Sequence, residues 1–320
     1  MPQGSLSSLP IPPPELLQRI GPMGETDPVR VFEESGATHR KFIEEMLPDD
    51  WSWAGRRTLD FGCGSGRIIR NFLPEAEAAE FWGCDIDRPS IDWLKANLEP
   101  PFHFFPTEEA ASLPQEDGFF DLIYAFSVYT HLTENWAGWM LEHHRVLKDG
   151  GYLLVSYLGE GMSEALTAEA WDEDRTGHNP QLHGYPWELG GPIAFNSQWW
   201  IHAHWGRAFE IVKLLPYVAD NPPAGHGMAL LRKKPVPITE EDLLRLEPDE
   251  PREIAALQHN IEQLRDDTLR LRVENAQLRD HLDAAQEAAK ENERLRNELE
   301  ASSSWRLTAP LRAAKARRRA

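Results

Sequence analysis

The chain has 320 residues, of which 41% are hydrophobic, and it carries a formal net charge of −19. This length predicts one domain of ordinary size with appended segments. The excess of acidic side chains argues against a general nucleic-acid binder, because contact with phosphates needs clustered Lys and Arg.

Two features of the sequence bear on the cellular compartment. The two cysteines, Cys63 and Cys84, are too few for a disulfide framework, and we expect them to be buried thiols in a reducing compartment. The first residues lack the pattern of a secretory signal, and no apolar run is long enough for a transmembrane helix. We therefore expect a cytoplasmic protein that is at most peripheral to the inner face of the membrane.

The first 235 residues contain the predicted globular part. Residues 1–50 are interpreted as a Pro-rich extension followed by cap helices. Residues 51–235 alternate short apolar runs with helical patterns, which predicts βαβ units and a mostly parallel, Rossmann-like sheet. Two late apolar runs predict a final antiparallel pair. The candidate strands are RTLDF, AEFWGCDI, FHFF, FDLIYAF, GYLLVSYL, FEIVKLL and GMALLRK.

A glycine-rich turn follows the first predicted strand. In LDFGCGSGR the glycines alternate with other residues, between a strand that ends near Asp60 and a helix predicted to begin near Arg67. Glycine permits positive φ and close contact with a ligand, and a helix start offers unpaired N–H groups. The turn therefore suits the carboxylate or phosphate of a ligand. The glycines are Gly62, Gly64 and Gly66.

Residues 159–206 are predicted to form a lid or an acceptor-binding insert. Their first part has little periodicity, and a long irregular loop in a compact domain is often a binding loop. Packing of the tryptophans in the core is the alternative interpretation. His202 and His204 lack the i, i+4 spacing of a helical metal site, so no metal is assigned to them, and a divalent ion bound by Asp and His elsewhere is the alternative. The substrate candidates are His183, Trp187, His202 and His204.

Residues 253–301 are predicted to form a coiled coil after a Pro-rich and acidic linker at 236–252. With Ile254 at heptad position a, leucine occupies four successive d positions, and the single Asn275 at an a position favours two strands. We expect a homodimer. A lone solvated helix, or a helix folded back on the globular domain, is the alternative. The d-position leucines are Leu257, Leu264, Leu271 and Leu278.

Residues 302–320 form a basic tail without an acidic residue. Its apolar side chains with flanking arginines suit an anionic membrane surface. An acidic protein partner and a disordered end are the alternatives. The core SWRLTAPLR resembles a terminal segment of bacterial glycosyltransferases, and of associated methyltransferases, in cell-surface polysaccharide synthesis. This resemblance suggests a glycosyltransferase partner.

Four motifs in the globular part resemble those of the class I S-adenosylmethionine-dependent methyltransferases. They are LDFGCGSGR, GCDID, FDLIYAFSVYTHL and VLKDGGYLLVS, and they follow one another in the order and spacing of that family. The resemblance implies a seven-stranded, mostly parallel sheet with an antiparallel last strand. It also implies S-adenosyl-L-methionine as the cofactor.

The same resemblance assigns cofactor contacts to residues of these motifs. Asp60 and the glycine turn would hold the methionine part, and Asp85 would hold the ribose. Asp87 is a neighbour for which helix capping is the alternative role, and the adenine would lie near residues 109–113. The cofactor candidates are Asp60, Gly62, Cys63, Gly64, Gly66, Asp85, Ile86 and Ser127.

Methyl transfer to a hydroxyl benefits from a general base, and histidine is the usual base near neutral pH. The segment SVYTHL follows the fourth strand, where ligands of open α/β sheets bind. His131 is therefore the first candidate for a catalytic base and Tyr129 the second, with packing or capping of the next helix as the alternative.

The sequence thus predicts an enzyme that O-methylates a sugar or glycan in bacterial surface polysaccharide synthesis. Two alternatives stay open. One is a methyltransferase for a small metabolite or a protein, and the other is a non-catalytic coiled-coil scaffold that binds the cofactor.

Overall fold

The computed structural model of the chain describes residues 9–17, 27–167, 170–187, 190–217 and 225–310. The chain divides into two compact units, residues 1–260 and 261–320. The extension at 1–8 and the end of the basic tail at 311–320 lie outside the described residues.

The first unit contains a seven-stranded sheet in the order β3-β2-β1-β4-β5-β9-β8. Its strands are parallel except β9, which runs antiparallel to both β5 and β8. The predicted fold class is therefore confirmed. The strands of this sheet are β1 (Arg57–Phe61), β2 (Glu80–Asp85), β3 (His103–Pro106), β4 (Phe120–Ala125), β5 (Leu147–Tyr157), β8 (Phe209–Leu215) and β9 (Gly227–Lys233).

Helices cover both faces of the sheet. The central strand β4 is buried throughout, and its side chains alternate between the two faces because successive side chains of a strand point in opposite directions. Leu122 packs in the cluster that includes α2 and α3, whereas Ile123 packs in the cluster that includes α4 and α6. These helices are α2 (Pro28–Met46), α3 (Arg88–Leu98), α4 (Trp136–Val146) and α6 (Gln198–Ala208), and a short α1 (Pro14–Leu17) precedes them.

In this described part of the chain, the α-helix that was predicted to begin near Arg67 does not form. Turns and a short 3-10 helix, Ile69–Phe72, stand in its place. Pro74 lies only seven residues beyond Arg67, and a proline cannot donate the hydrogen bond that would continue an α-helix. The prediction was therefore wrong, and the argument from a helix N-terminus does not apply to the glycine turn.

Residues 159–196 contain more regular structure than the sequence predicted. Helix α5 (Glu160–Thr167) is followed by a two-stranded antiparallel sheet of β6 (His178–Gln181) and β7 (Ile193–Asn196). On α6, the side chains of Trp199, Trp200 and Trp205 are buried in the core. The packing interpretation of these tryptophans is confirmed.

The segment 236–252, expected to be a linker, packs on the domain. It contains α7 (Glu240–Leu244), which begins with a capping box of Thr239 and Asp242. Leu243 is fully buried in the core cluster and anchors the segment to the domain. The acidic and Pro-rich composition of the segment did not indicate this contact.

A helix of 50 residues, α8 (Arg252–Ala301), and the short α9 (Ser303–Leu307) follow. Within the second unit the helical residues from 261 to 300 are nearly all exposed. No helix among the described residues is both long and apolar enough to span a bilayer.

Candidate active site

The glycine turn lies at the end of β1, and all three of its glycines have positive φ, at 78°, 52° and 84°. Protein packing accounts for two of them. A Cβ on Gly62 would lie 2.3 Å from Cγ2 of Val128, and a Cβ on Gly66 would lie 2.6 Å from Cδ2 of Leu94. A Cβ on Gly64 would meet nothing within 4 Å. Gly64 is thus the glycine that borders open space, where a ligand can approach.

Asp85, at the end of β2, holds this turn in place. The Gly64 amide donates to Oδ2 of Asp85 at 2.7 Å, and the Asp87 amide donates to Oδ1 at 2.8 Å. The Asp85 carboxylate lies at the end of a parallel strand, which is where acidic residues of open α/β sheets accept hydrogen bonds from ligand hydroxyls. Asp87 caps α3, because its side chain accepts from the Ser90 amide at 3.2 Å. The capping interpretation of Asp87 is confirmed.

Asp60 supplies a buried carboxyl beside the turn. Burial raises its pKa to about 7, although the nearby Tyr124 hydroxyl and Arg67 guanidinium act in the opposite direction. Its Oδ2 atom has no hydrogen-bond partner among the described residues. A buried polar atom without a partner is costly, so a ligand that donates a hydrogen bond there relieves the cost.

Three further cofactor candidates surround the turn. Ile86 follows Asp85 and is 55% exposed, which is unusual for an isoleucine beside a buried strand. Ser127 follows β4 with a φ of 56°, and its amide donates to the Ser156 hydroxyl at 2.7 Å. Cys63 is buried, and burial raises the pKa of its thiol well above the ordinary value, so Cys63 contributes backbone rather than a reactive sulfur.

The segment at 107–113 continues from the end of β3 and includes residues 109–113, near which the adenine was expected. The Thr107 amide donates to the Asp85 carbonyl at 3.0 Å, which keeps the start of the segment beside the acidic residue. The Leu113 amide donates to Oε1 of Glu142 at 2.5 Å, and the Asn135 amide group donates to the Glu109 carbonyl at 2.7 Å. The protein itself therefore fixes the path of this segment.

The two catalytic candidates lie in different environments. The Tyr129 side chain is 1% exposed, and its hydroxyl bonds Nδ1 of His143 at 2.8 Å. Burial raises the Tyr129 pKa well above its ordinary value. These facts make Tyr129 a core residue, which argues against contact with an acceptor. His131 is partly buried, and its Nδ1 lies 2.8 Å from the Pro192 carbonyl oxygen.

The substrate candidates also lie in different environments. The Trp187 ring is 63% exposed and lies 5.7 Å from the His131 ring, between centroids. His183 is 38% exposed, and its Nδ1 lies 3.5 Å from Oε1 of Glu134. His202 is exposed on α6. The structure therefore associates Trp187 with His131.

His204 is not available to a substrate. Its Nδ1 lies 2.8 Å from the Leu243 carbonyl oxygen, and its Nε2 lies 2.7 Å from Oε1 of Glu253. The His204 and Glu253 side chains are 3% and 6% exposed. His204 thus ties α6 to the segment after the sheet, and the expectation that it contacts substrate is corrected.

The sequence analysis missed His226 and His39. His226 immediately precedes β9, whose first residue Gly227 pairs with Tyr157 at the carboxyl end of β5. Burial lowers the pKa of His226 to about 4, and the charge of His131 acts in the same direction. The antiparallel direction of β9 was the available signal, because it brings the residue before the strand to the ligand edge of the sheet.

His39 lies on α2, and its Nδ1 is 3.1 Å from Nη1 of Arg67. Burial, with the charges of Arg67 and His226, lowers the pKa of His39 to about 3. Among the described residues, no group of three or more His, Cys, Asp or Glu side chains is arranged to hold a metal ion.

Known proteins share this site region with the chain. Residues 59–155 match the family model of a methyltransferase domain. A probable methyltransferase, PMT28, of Arabidopsis thaliana is 30% identical over 43% of this chain and 19% of its own length. The phthiotriol/phenolphthiotriol dimycocerosates methyltransferase 1 of Mycobacterium ulcerans is 25% identical over 52% of this chain and 55% of its own length. The chain thus spans about a fifth and about half of these two relatives.

A crystal structure of an S-adenosylmethionine-dependent methyltransferase from Mesorhizobium loti aligns with 62% of this chain and 99% of its own, at 18% identity and a TM-score of 0.46. The matched residues 59–155 include the glycine turn, Asp85 and His131. Residues 59–155 thus match a methyltransferase domain, and S-adenosylmethionine is the cofactor that such a domain implies.

Proposed function

We propose that the protein transfers a methyl group from S-adenosylmethionine to a hydroxyl of a sugar or glycan. The observation that carries the methyl-transfer part is the arrangement around Gly64. This glycine borders open space, its amide is fixed by Asp85, and the buried Oδ2 of Asp60 lacks a partner among the described residues.

These residues fit the cofactor by their chemistry. The unpartnered Asp60 Oδ2 suits a donor on the amino-acid end, and the Asp85 carboxylate at the end of β2 suits ribose hydroxyls. The exposed Ile86 side chain suits an apolar contact with a flat base. When bound, S-adenosylmethionine supplies an electrophilic methyl group, so the protein mainly has to align the acceptor and exclude water.

His131 is the group that we assign as the general base. The Pro192 carbonyl can only accept a hydrogen bond, so Nδ1 of His131 carries the proton and Nε2 carries the lone pair. Burial lowers the pKa of His131, which keeps its ring neutral at physiological pH. A neutral imidazole with an available lone pair can take the proton of a hydroxyl as the methyl group is transferred.

Trp187 supports a sugar or glycan as the acceptor. Its ring is largely exposed beside His131, and aromatic faces pack against the apolar faces of sugar rings. The tail core SWRLTAPLR supports the same acceptor through its resemblance to proteins of surface polysaccharide synthesis. On this proposal the protein works at the inner face of the bacterial membrane, next to a glycosyltransferase.

The test uses the full chain with methyl-labelled S-adenosylmethionine and fractionated bacterial lysate. Label in a polymer that glycosidases release as methylated sugars supports the proposal. Label in protein or in a small metabolite overturns the glycan acceptor while it retains methyl transfer. Cofactor binding in calorimetry without label in any fraction would favour the scaffold alternative. The matched control is Asp85→Asn, which should lower the label in every fraction because its cofactor binding is weakened.

A further inference from the structure

The part of α8 that belongs to the second unit exposes a row of leucines. Leu264, Leu271 and Leu278 are 46%, 52% and 66% exposed, and they recur every seven residues. A helix with an apolar stripe of this kind gains most of its stability by burying the stripe against another element. Within the described residues of the second unit, no element covers these leucines.

Charged residues flank the apolar stripe with one sign on each side. In the heptad register that places these leucines at d, the e positions are all arginine and the neighbouring g positions are acidic. The e residues are Arg265, Arg272 and Arg279, and the g residues are Asp267 and Glu274. Of these, only Asp267 has an ion pair within the described part of the chain, with Arg270 at 2.7 Å.

This separation of basic and acidic side chains determines whether a second helix pairs in the parallel or the antiparallel direction. In a parallel dimer each g residue faces the e residue of the next heptad on the other chain. Asp267 would then face Arg272 of a second copy, and Glu274 would face Arg279. In an antiparallel dimer e faces e and g faces g, which sets arginine against arginine and acid against acid. Only the parallel arrangement is attractive on both sides.

The residues at the a positions favour two helices that are aligned in register. Ile261 and Thr268 are β-branched residues at a, and leucine at d with β-branched residues at a favours a dimer. Asn275 also occupies an a position, where its amide can bond its own copy only if the two chains are aligned without a shift. A shift would bury an unpaired amide against leucine.

We propose that residues 261–282 pair with a second copy of this chain as a parallel, in-register, two-stranded coiled coil. The proposal rests on the helix alone, so it can fail or hold independently of the proposed methyl transfer. It implies that both chains of the dimer enter the coiled coil from the same end.

Cysteine cross-linking in the full chain tests the direction. In a parallel, in-register dimer, Leu271→Cys places two thiols at facing d positions, and mild oxidation should give a covalent dimer. Val273→Cys lies at the outer f position, is also exposed at 51%, and should remain monomeric on denaturing gels. The native Cys63 and Cys84 are buried, so they add little background. Equal cross-linking of both variants, or none, would overturn the proposal.

Charge reversal tests the pairing independently. Arg272→Glu with Arg279→Glu should weaken the dimer by about tenfold or more in sedimentation equilibrium, because four attractive pairs become repulsive. Adding Asp267→Lys and Glu274→Lys to the same chain should restore the dimer. An antiparallel dimer would not weaken in the first variant, since like charges already face each other. A monomer, a trimer or an unweakened dimer would each overturn the proposal.

Discussion

The Gly64 amide donates to Oδ2 of Asp85 at 2.7 Å, across the ends of two neighbouring parallel strands. This bond couples the glycine turn after β1 to the acidic residue at the end of β2. Loss of the Asp85 carboxylate should therefore affect the turn as well as any ribose contact, so its role in binding has to be separated from its role in folding.

The glycines of the turn should respond differently to substitution. Gly62→Ala should lower the free energy of unfolding by roughly 3 kcal/mol, because positive φ and the clash with Val128 both oppose a Cβ. Gly64→Ala should cost only about 1 kcal/mol, since only its φ opposes the methyl group. It should nevertheless weaken cofactor binding in calorimetry. If Gly64→Ala bound the cofactor normally, the open space beside Gly64 would not be the binding site.

Asp60 should make stability depend on pH. Its folded pKa of about 7 lies above its ordinary value of 3.8, so the folded state holds the proton more tightly than the unfolded state. Stability should therefore fall as pH rises from about 4 to 7, by about 1.4 kcal/mol for each pH unit at most. Denaturant unfolding of Asp60→Asn should lack this part of the pH dependence. An identical pH dependence in both proteins would contradict the assignment.

His204 should prove structural. His204→Ala removes the imidazole from the buried Glu253 carboxyl and leaves it only the Glu247 amide, so we expect a loss of roughly 3 kcal/mol in the free energy of unfolding. The control is His202→Ala, on the same helix but exposed, for which the change should stay below about 0.5 kcal/mol. Similar losses in both variants would contradict the contrast.

His131 should control the rate but not cofactor affinity. His131→Gln should slow methylation by about 10²-fold once an acceptor is known, because a general base contributes about that factor. Burial lowers the pKa of His131 below 6.5, so the wild-type rate should stay constant above that pH and fall only below it. His281→Gln, an exposed histidine on α8, is the control. An unchanged rate in His131→Gln would remove His131 as the base.

Trp187 should contribute to acceptor binding. Trp187→Ala should raise KM for a glycan acceptor by about fivefold, since an aromatic contact is worth roughly 1 kcal/mol. Binding of the cofactor, measured by calorimetry, should be unchanged. A change confined to cofactor binding would assign Trp187 to the other half of the site.

Periodicity predicted most of the sheet, because short apolar runs separated by turn residues leave few alternatives to β-strands. RTLDF, FEIVKLL and GMALLRK became strands with those same bounds. The helix after Arg67 was mispredicted because a strand–glycine–helix pattern was assumed, whereas the segment forms turns and a short 3-10 helix. The prediction gave more weight to this pattern than to the local sequence after Arg67.

The sequence located residues that meet at the strand ends, but it did not predict the environment of residues whose tertiary contacts decide it. Gly64 and Asp85 follow from their position at strand ends. The buried bonds of Tyr129 and His204 could not be read from the sequence, because their partners His143 and Glu253 lie 14 and 49 residues away. His226 escaped notice because a histidine before a late strand becomes significant only when the strand direction is known.

Isothermal titration calorimetry of the full chain with S-adenosylmethionine tests the central claim most directly, with Asp85→Asn and Asp60→Asn as variants. The account predicts one binding site per chain in the wild type and binding weakened at least tenfold in each variant whose fold, by circular dichroism, is intact. Absence of binding in the wild type, or full affinity in both folded variants, would contradict it.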